Sequence, residues 1–386
     1  MSGKRLCVVT GSRAEYGILY WLLRDIRDAP DLDLQLVVTG MHLEPRFGMT
    51  VEQIERDGFA IDWKAPIGLE EDTPGGIAHA MARGLAGVSD ALEALRPDLV
   101  IVLGDRFEIM VAVQAAMIHN VPVAHLAGGD TTEGAFDEGI RHAITKMAHV
   151  HLTTNSQSAH RVAQMGEDPA RIHVVGSPAL DHLKRARLMD QDELERSLGA
   201  PLGARNLLVT FHPVTLEPDY GMGQFEALLE ALDGLDRNVV KWFTRPNADP
   251  GNVALNARLD HWAEGREDVQ VHTSLGQARY LALLSRVDAM VGNSSSGLYE
   301  APSLGTATVN IGNRQAGRLA ADSVINAAPV AAEIGHAIRR AMEMDCSGVS
   351  NPYGDGHASE RILSVLRALP SRSDLLRKKF HETYNG

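Results

Sequence analysis

Short apolar runs rich in β-branched residues alternate along the chain with stretches whose apolar positions recur at helical spacing. In the first half this pattern predicts strands near Arg5–Thr10, Asp33–Thr39, Leu99–Leu103, Val121–Leu126, Val150–Thr153 and Ile172–Val175. Helices fit between them at Gly17–Arg27, Ile77–Leu95, Phe107–His119, Gly139–Ala148 and Ser158–Met165. A charged segment with Pro178 and Pro201, "GSPALDHLKRARLMDQDELERSLGAPLGARN", reads as a linker. Alternation then resumes, with strands near Leu207–Phe211, Val239–Thr244, Val269–His272, Ala289–Gly292 and Thr306–Ile311. The accompanying helices fit Phe225–Leu235, Leu255–Trp262, Gln277–Ser285, Leu298–Ser303, Ala331–Met344 and Ser359–Leu369. Strands as continuously apolar as "LVIVL" belong to parallel sheets covered on both faces. The expected architecture is α/β: two doubly wound, Rossmann-like domains facing a cleft, over residues 1–178 and 179–358, with terminal helices over 359–386. In such sheets ligands bind beyond the carboxyl ends of the strands, so the chemistry is to be sought there.

Composition narrows the possible functions. The 386 residues, 44% hydrophobic and 23% charged, suit a globular protein of two ordinary domains. A net charge of -13 argues against broad binding to nucleic acid or anionic lipid. The most apolar stretch, "DLVIVLGDRFEIMVAVQAAMI", is interrupted by Asp105, Arg106 and Glu108, so no membrane span is expected. The N-terminus runs directly into a strand without a signal pattern, which makes the cytoplasm the expected compartment. Two cysteines, Cys7 and Cys346, form neither a disulfide framework nor a zinc site, and Cys7 reads as a small buried hydrophobe.

Several strand ends carry unusual residues. After the first strand, "TGSRAEYG" could hold a phosphate on backbone amides and the Arg13 guanidinium, although strand–Gly–helix turns are common. In "GDRFE", Asp105 and Arg106 end a deeply apolar strand, an expensive place for charges. They form either a structural ion pair or a site in which Asp105 is a general acid or base. The stretch "HLAGGDTTEGAFDEGIRH", from His125 to His142, gathers Asp130, Glu133, Asp137 and Glu138 with Arg141 and four glycines. Any one of these acids could be an ordinary helix N-terminal residue, Glu138 in particular, but a site explains the cluster better. In the second half, "FHPVT" puts His212 after a strand, and "GNSSSGLYE" puts Ser294, Ser295 and Glu300 at a strand-to-helix turn suited to a diphosphate and a ribose diol. "TRPNADPG" and "GNRQAGR" add Arg245, Asn247, Arg314 and Arg318. There is no zinc-type ligand set, nucleophile elbow or Walker-type lysine loop, so neither metal nor cofactor is expected.

"TGSRAEYG", "GDRFE", "EGAFDEGIRHAITKMAH", "FHPVT", "GNSSSGLYE" and "NIGNRQAGR" occur in that order. The ordered set resembles the hydrolysing UDP-N-acetylglucosamine 2-epimerases, bacterial enzymes that supply N-acetylmannosamine or related sugars for sialic-acid-like compounds, including the legionaminic acid route. The resemblance implies the glycosyltransferase-B fold, with the last helix packing back on the first domain, and a homodimer. Its chemistry is removal of the C2 proton while the nucleoside diphosphate leaves C1, followed by addition of water to the resulting 2-acetamidoglucal. The first domain would hold the sugar and the second the nucleotide. By the same resemblance Asp105 and Asp137 are catalytic acids, with Arg106, Arg141 and His212 near the reacting centre and phosphates. Arg13, Asn247, Ser294, Ser295, Glu300 and Arg314 then bind the nucleotide, and His125 lies with the substrate-binding residues.

One departure stands out. Many members read His-Ile-Glu-Gly-Gly where this chain has "HLAGG", so Ala127 replaces a catalytic glutamate. Asp130 is the expected substitute. A changed loop beside the sugar suits a UDP- or GDP-linked 2,4-diacetamido-6-deoxy sugar as well as UDP-N-acetylglucosamine. Three other readings share the fold: a non-hydrolysing 2-epimerase, a glycosyltransferase and a nucleotide-sugar-binding protein without turnover.

Overall fold

The computed structural model describes residues 3–69, 73–131, 137–214, 216–246 and 251–382. The chain packs as two compact units. The first comprises Met1–Asp130, Phe136–His182 and Gly356–Gly386, and the second Thr131–Ala135 and Leu183–Asp355.

The first unit is built on seven strands: β1 (Lys4–Thr10), β2 (Leu32–Thr39), β3 (Trp63–Ala65), β4 (Leu99–Leu103), β5 (Val123–Leu126), β6 (Val150–Thr153) and β7 (Ile172–Val174). They lie side by side in the order β3-β2-β1-β4-β5-β6-β7, and every pairing is parallel. Alternate residues of a strand point to opposite faces, and here both faces are buried. Leu6, Val8, Leu99 and Ile101 pack with Leu19, Leu22 and Leu23 of the helix Arg13–Arg27. Cys7, Val9, Val100 and Val102 pack on the other side with Ile109, Ala112 and Val113. Burial on both sides is why these strands read as continuous apolar runs.

The second unit repeats the plan with six parallel strands: β8 (Arg205–Thr210), β9 (Val239–Thr244), β10 (Val269–His272), β11 (Ala289–Gly292), β12 (Ala307–Ile311) and β13 (Val324–Ala327). Their order is β10-β9-β8-β11-β12-β13. Leu207 and Val209 belong to one core layer and Leu208 to the other.

The structure corrects the sequence reading in four places. The helix after β1 begins at Arg13, because the Ser12 side chain accepts a hydrogen bond from the Glu15 amide and caps it. What reads as a loop is therefore helix N-terminus. The fifth strand begins at Val123, since Pro122 has no N–H to give the ladder; its carbonyl still accepts from Val100 N at 2.9 Å. β3 and β13, three- and four-residue edge strands, are too short to leave a pattern. The supposed linker contains the helices Asp181–Arg185 and Gln191–Leu198, the latter with a capping box between Asp190 and Glu193.

The helix Ala358–Ala368 packs on the first unit, where Ile362 and Leu366 join the Leu19–Leu22 core. The buried Asp181 carboxylate fixes its start, accepting from Ala358 N at 2.8 Å and Ser359 N at 2.6 Å. Arg367 adds a two-pronged pair with Asp31, both bonds 2.8 Å.

Candidate active site

In the first unit the carboxyl ends of β4 and β5 lie side by side, with Leu103 opposite Leu126. The loop after β4 carries Asp105 and Arg106, the latter capping the helix Phe107–Ile118. The turn after β5 is tight. Gly129 has φ 80°, and a Cβ there would stand 2.3 Å from the Ser158 carbonyl oxygen. Ala127 also adopts a left-handed conformation, φ 61°, which is costly for a residue with a Cβ.

Arg141 organises this end of the sheet. Only 5% of its side chain is exposed. Its guanidinium pairs with Asp105 Oδ2, donates to Glu138 Oε2 at 2.9 Å and donates to the Asp130 carbonyl at 2.8 Å. A cation so buried is tolerable because its donors meet acceptors, two of them charged. Asp137 opens the same helix, Asp137–Met147. Burial and then the Asp105 charge push its carboxyl up to about 6, against the lowering influence of Arg106 and Arg141. A carboxyl in that range can both take and return a proton near neutrality.

The structure gives two expected site residues supporting places. His125 is wholly buried; its Nε2 donates to the Gly104 carbonyl at 2.8 Å, and Nδ1 lies 3.2 Å from the Thr145 hydroxyl. Burial lowers its pKa to about 3, so it stays neutral and holds the loop that carries Asp105. Asp130 is 8% exposed, and its Oδ1 accepts from Ser158 Oγ at 2.6 Å and Thr154 Oγ1 at 2.7 Å. Its carboxylate thus secures the helix Ser156–Gln164, and its carbonyl helps hold Arg141. Asp105, Arg106, Asp137 and Arg141 come together. Arg13 is exposed on the first turn of its helix. Glu133 lies outside the described residues.

In the second unit the ends of β8 and β11 are adjacent, with Thr210 opposite Gly292. Asn293, a wholly buried residue that sequence reasoning passed over, joins them. Its Oδ1 accepts from His212 N at 2.7 Å and its Nδ2 donates to the His212 carbonyl at 2.8 Å. The Asn293 carbonyl in turn accepts from Gln315 at 2.8 Å and Arg314 at 3.1 Å. The available signal was modest: one asparagine after an apolar strand, overshadowed by the three serines that follow. His212 is 8% exposed, and burial followed by the Arg314 charge lowers its pKa to about 3. Ser294 and Ser295 lie in the turn leading into the short helix Ser296–Tyr299, which ends at Glu300. Burial pushes the Glu300 carboxyl up to about 7. Arg245 is occupied by the helix Asn252–Ala263, donating to Asn256 at 3.1 Å and Asp260 at 2.5 Å. Asn247 lies outside the described residues. Among the described residues no cluster of metal-ligating side chains occurs, and no helix is long and apolar enough to cross a membrane.

Two doubly wound parallel sheets with polar and charged side chains gathered at their strand ends give the glycosyltransferase-B fold. The UDP-N-acetylglucosamine 2-epimerase family model matches residues 24–367, and the chain belongs to that family. It is 36% identical to a GDP/UDP-N,N'-diacetylbacillosamine 2-epimerase (hydrolyzing) of Campylobacter jejuni, over 84% of this chain and 85% of that protein. It is 34% identical to a UDP-N,N'-diacetylbacillosamine 2-epimerase (hydrolyzing) of Legionella pneumophila, over 97% and 98%. The crystal structure of UDP-GlcNAc 2-epimerase from Neisseria meningitidis bound to UDP-GlcNAc has the same fold, with a TM-score of 0.82 at 18% identity over 94% of this chain and 99% of that one.

Proposed function

We propose that this protein is a hydrolysing 2-epimerase acting on a nucleoside-diphosphate-linked 2,4-diacetamido-6-deoxy hexose, which it releases as the free 2-epimer. The observation that carries the reading is the cluster at the ends of β4 and β5: Asp137, lifted to about 6, beside an Asp105–Arg141 pair and Arg106. Membership of the family and the printed activities of the Campylobacter and Legionella relatives support the reaction class and the diacetamido substrate.

Asp137 is the group best suited to move the C2 proton. The C2–H pair becomes the C1=C2 bond as the C1–O bond breaks, and its electrons leave on the nucleoside diphosphate. Water then adds its hydroxyl to C1 of the 2-acetamidoglucal while its other proton is delivered to C2 on the opposite face, and Asp137 releases the proton it took to solvent. A C2 hydrogen is weakly acidic, so the step depends on cationic and N–H groups that stabilise the departing diphosphate. Arg106 supplies charge in the first unit, and Arg314, Ser294 and Ser295 supply charge and hydroxyl donors in the second. Neutral His212 can donate or accept a hydrogen bond there, and Glu300 suits the ribose hydroxyls. Arg13 and Asn247 complete the proposed nucleotide contacts.

The test is proton NMR in deuterium oxide with UDP- and GDP-linked 2,4-diacetamido-6-deoxy hexose and with UDP-GlcNAc in parallel. A free 2-epimer carrying deuterium at C2, formed fastest from a diacetamido substrate, is expected. Return of the epimer still linked to its nucleotide, or absence of turnover with all three, would overturn the reading.

A further inference from the structure

Two buried acids near the proposed site are not used by that chemistry. Glu15, in the first turn of the helix Arg13–Arg27, is 7% exposed, and Glu108, in the first turn of Phe107–Ile118, is 0% exposed. Their helices follow β1 and β4, which are neighbours in the sheet. Glu15 Oε2 accepts from Gly11 N at 2.7 Å, while Glu108 Oε1 accepts from Arg106 Nε at 2.5 Å. The remaining oxygens, Glu15 Oε1 and Glu108 Oε2, are buried without a hydrogen-bond partner among the described residues. The space is shaped for Glu108: a Cβ on Gly11 would stand 2.3 Å from its Cγ, and one on Gly40 3.3 Å from the same atom.

We propose that Glu15 and Glu108 form a buried carboxyl pair that positions the Arg106 guanidinium for the reaction. Two carboxylates in a desolvated space resist simultaneous ionisation. Burial and then the Glu108 charge push Glu15 up to about 8, so near neutrality Glu15 holds a proton and Glu108 serves as the ion partner of Arg106. The other groups around the pair act in both directions, with Arg106 and the Gly11 amide favouring the Glu15 carboxylate and losing to burial and the neighbouring acids. Asp105 adds repulsion from the loop after β4, and the Gly11 amide stabilises the Glu15 carboxylate. His42, from the turn Gly40–Leu43, bonds Thr10 at 3.1 Å and Thr50 at 2.8 Å rather than either acid, and burial lowers it to about 4, so it adds no charge. Arg106 also feels the Asp137 charge. The pair thereby sets where Arg106 sits and how much of its charge reaches Asp137. Its effect on turnover rests on the epimerase reading; the proton on Glu15 does not.

The pH dependence follows from the sign of the shift. The folded chain keeps a proton on Glu15 that the unfolded chain loses above about pH 4.5, so stability from this group declines as pH rises to about 8. Thermal unfolding from about pH 5 to about pH 8 should therefore show Tm of Glu15→Gln rising relative to the parent as pH increases. Glu108→Gln should also flatten the parent's decline, because removing the Glu108 charge lowers Glu15. The double variant should add little to either single change. In turnover, Glu108→Gln should lower kcat about 10- to 100-fold with little change in KM. The kinetic break that reports Asp137 should move down by about 0.5–1 pH, because Arg106 then acts on it uncompensated. A pH-independent Tm difference for Glu15→Gln would overturn the pair. Loss of kcat in Glu108→Gln with the break unmoved would overturn the positioning role. If Glu108→Gln does not fold, the Glu15→Gln slope alone decides. If the parent turns over no nucleotide sugar, the epimerase reading fails, while the Tm slopes still judge the pair.

Discussion

The two sheets end in opposite chemistries. At β4 and β5 the chain concentrates charge: Asp105, Arg106, Glu108, Asp137, Glu138 and Arg141 within one loop and two helix starts. At β8 and β11 the central device is neutral, a single asparagine whose amide clamps the backbone of His212, with serines following. Charge is what a proton transfer needs, and it is expensive to bury. The first cluster therefore spends stability to hold a carboxyl near neutrality. The second cluster centres on a hydrogen-bonded turn that adds to stability while offering donors, with its one raised carboxyl, Glu300, set apart at the end of the short helix. Removing the proton-moving acid of the first should mainly alter rate, removing its buried cation should alter rate and folding together, and changes in the second should mainly alter folding and nucleotide affinity.

The largest effect should come from Asp137→Asn. Loss of the proton-moving group should cost about 100- to 10,000-fold in kcat, read by product NMR or coupled release of nucleoside diphosphate. The same change should raise Tm above about pH 6. The raised carboxyl is paid for by the fold as pH climbs from the unfolded value toward about 6, and asparagine carries no such penalty. A variant that is both slower and less stable at pH 7.5 would break the proposed contrast.

Next in size, Arg141→Met leaves the Asp105 and Glu138 carboxylates without their shared buried cation. A stability loss of about 3–5 kcal/mol is expected in urea unfolding, together with loss of turnover. On the other sheet, Asn293→Ala unpairs a buried N–H and C=O of His212 and should cost about 2–4 kcal/mol. Its kcat on saturating substrate should fall less than that of Asp137→Asn, which sharpens the division between the two ends. The smallest effect should be Ala127→Gly. Relief of the left-handed backbone should stabilise by about 0.5–1 kcal/mol, visible as a modest rise in urea midpoint.

The contrast also explains what could be read from the sequence. Asp105 and Arg106 stand out because charges one glycine beyond "LVIVL" are expensive unless they pair or face a site, and Asp137 and Arg141 because acids and arginine crowd one short stretch. Asn293 is as central to its sheet, yet a neutral amide leaves no such mark. Glu15 was hidden by a misplaced helix start: once Ser12 caps the helix, the glutamate falls in its first turn, with its carboxylate on the Gly11 amide. The family resemblance makes Asp130 the substitute for the glutamate at Ala127 and puts His125 with the substrate. Only tertiary placement reveals that their polar atoms are engaged by Gly104, Thr145, Thr154 and Ser158. The sheet core was legible wherever a strand is long and doubly buried. It was lost at β3 and β13, where three or four edge residues carry no period. The helix Gln191–Leu198 was legible in principle through its Asp190–Glu193 capping box, but the charge around it was read as linker.

The most direct test of the central claim, that Asp137 moves the C2 proton at a charge-built strand end, is the pH dependence of deuterium incorporation at C2 during turnover in deuterium oxide. The account predicts a break near pH 6 in the parent, after allowance for the isotope's effect on the acid, and its absence in whatever residual activity Asp137→Asn retains. A parent profile with no break between about pH 5 and about pH 7.5, or the same break in the variant, would contradict it.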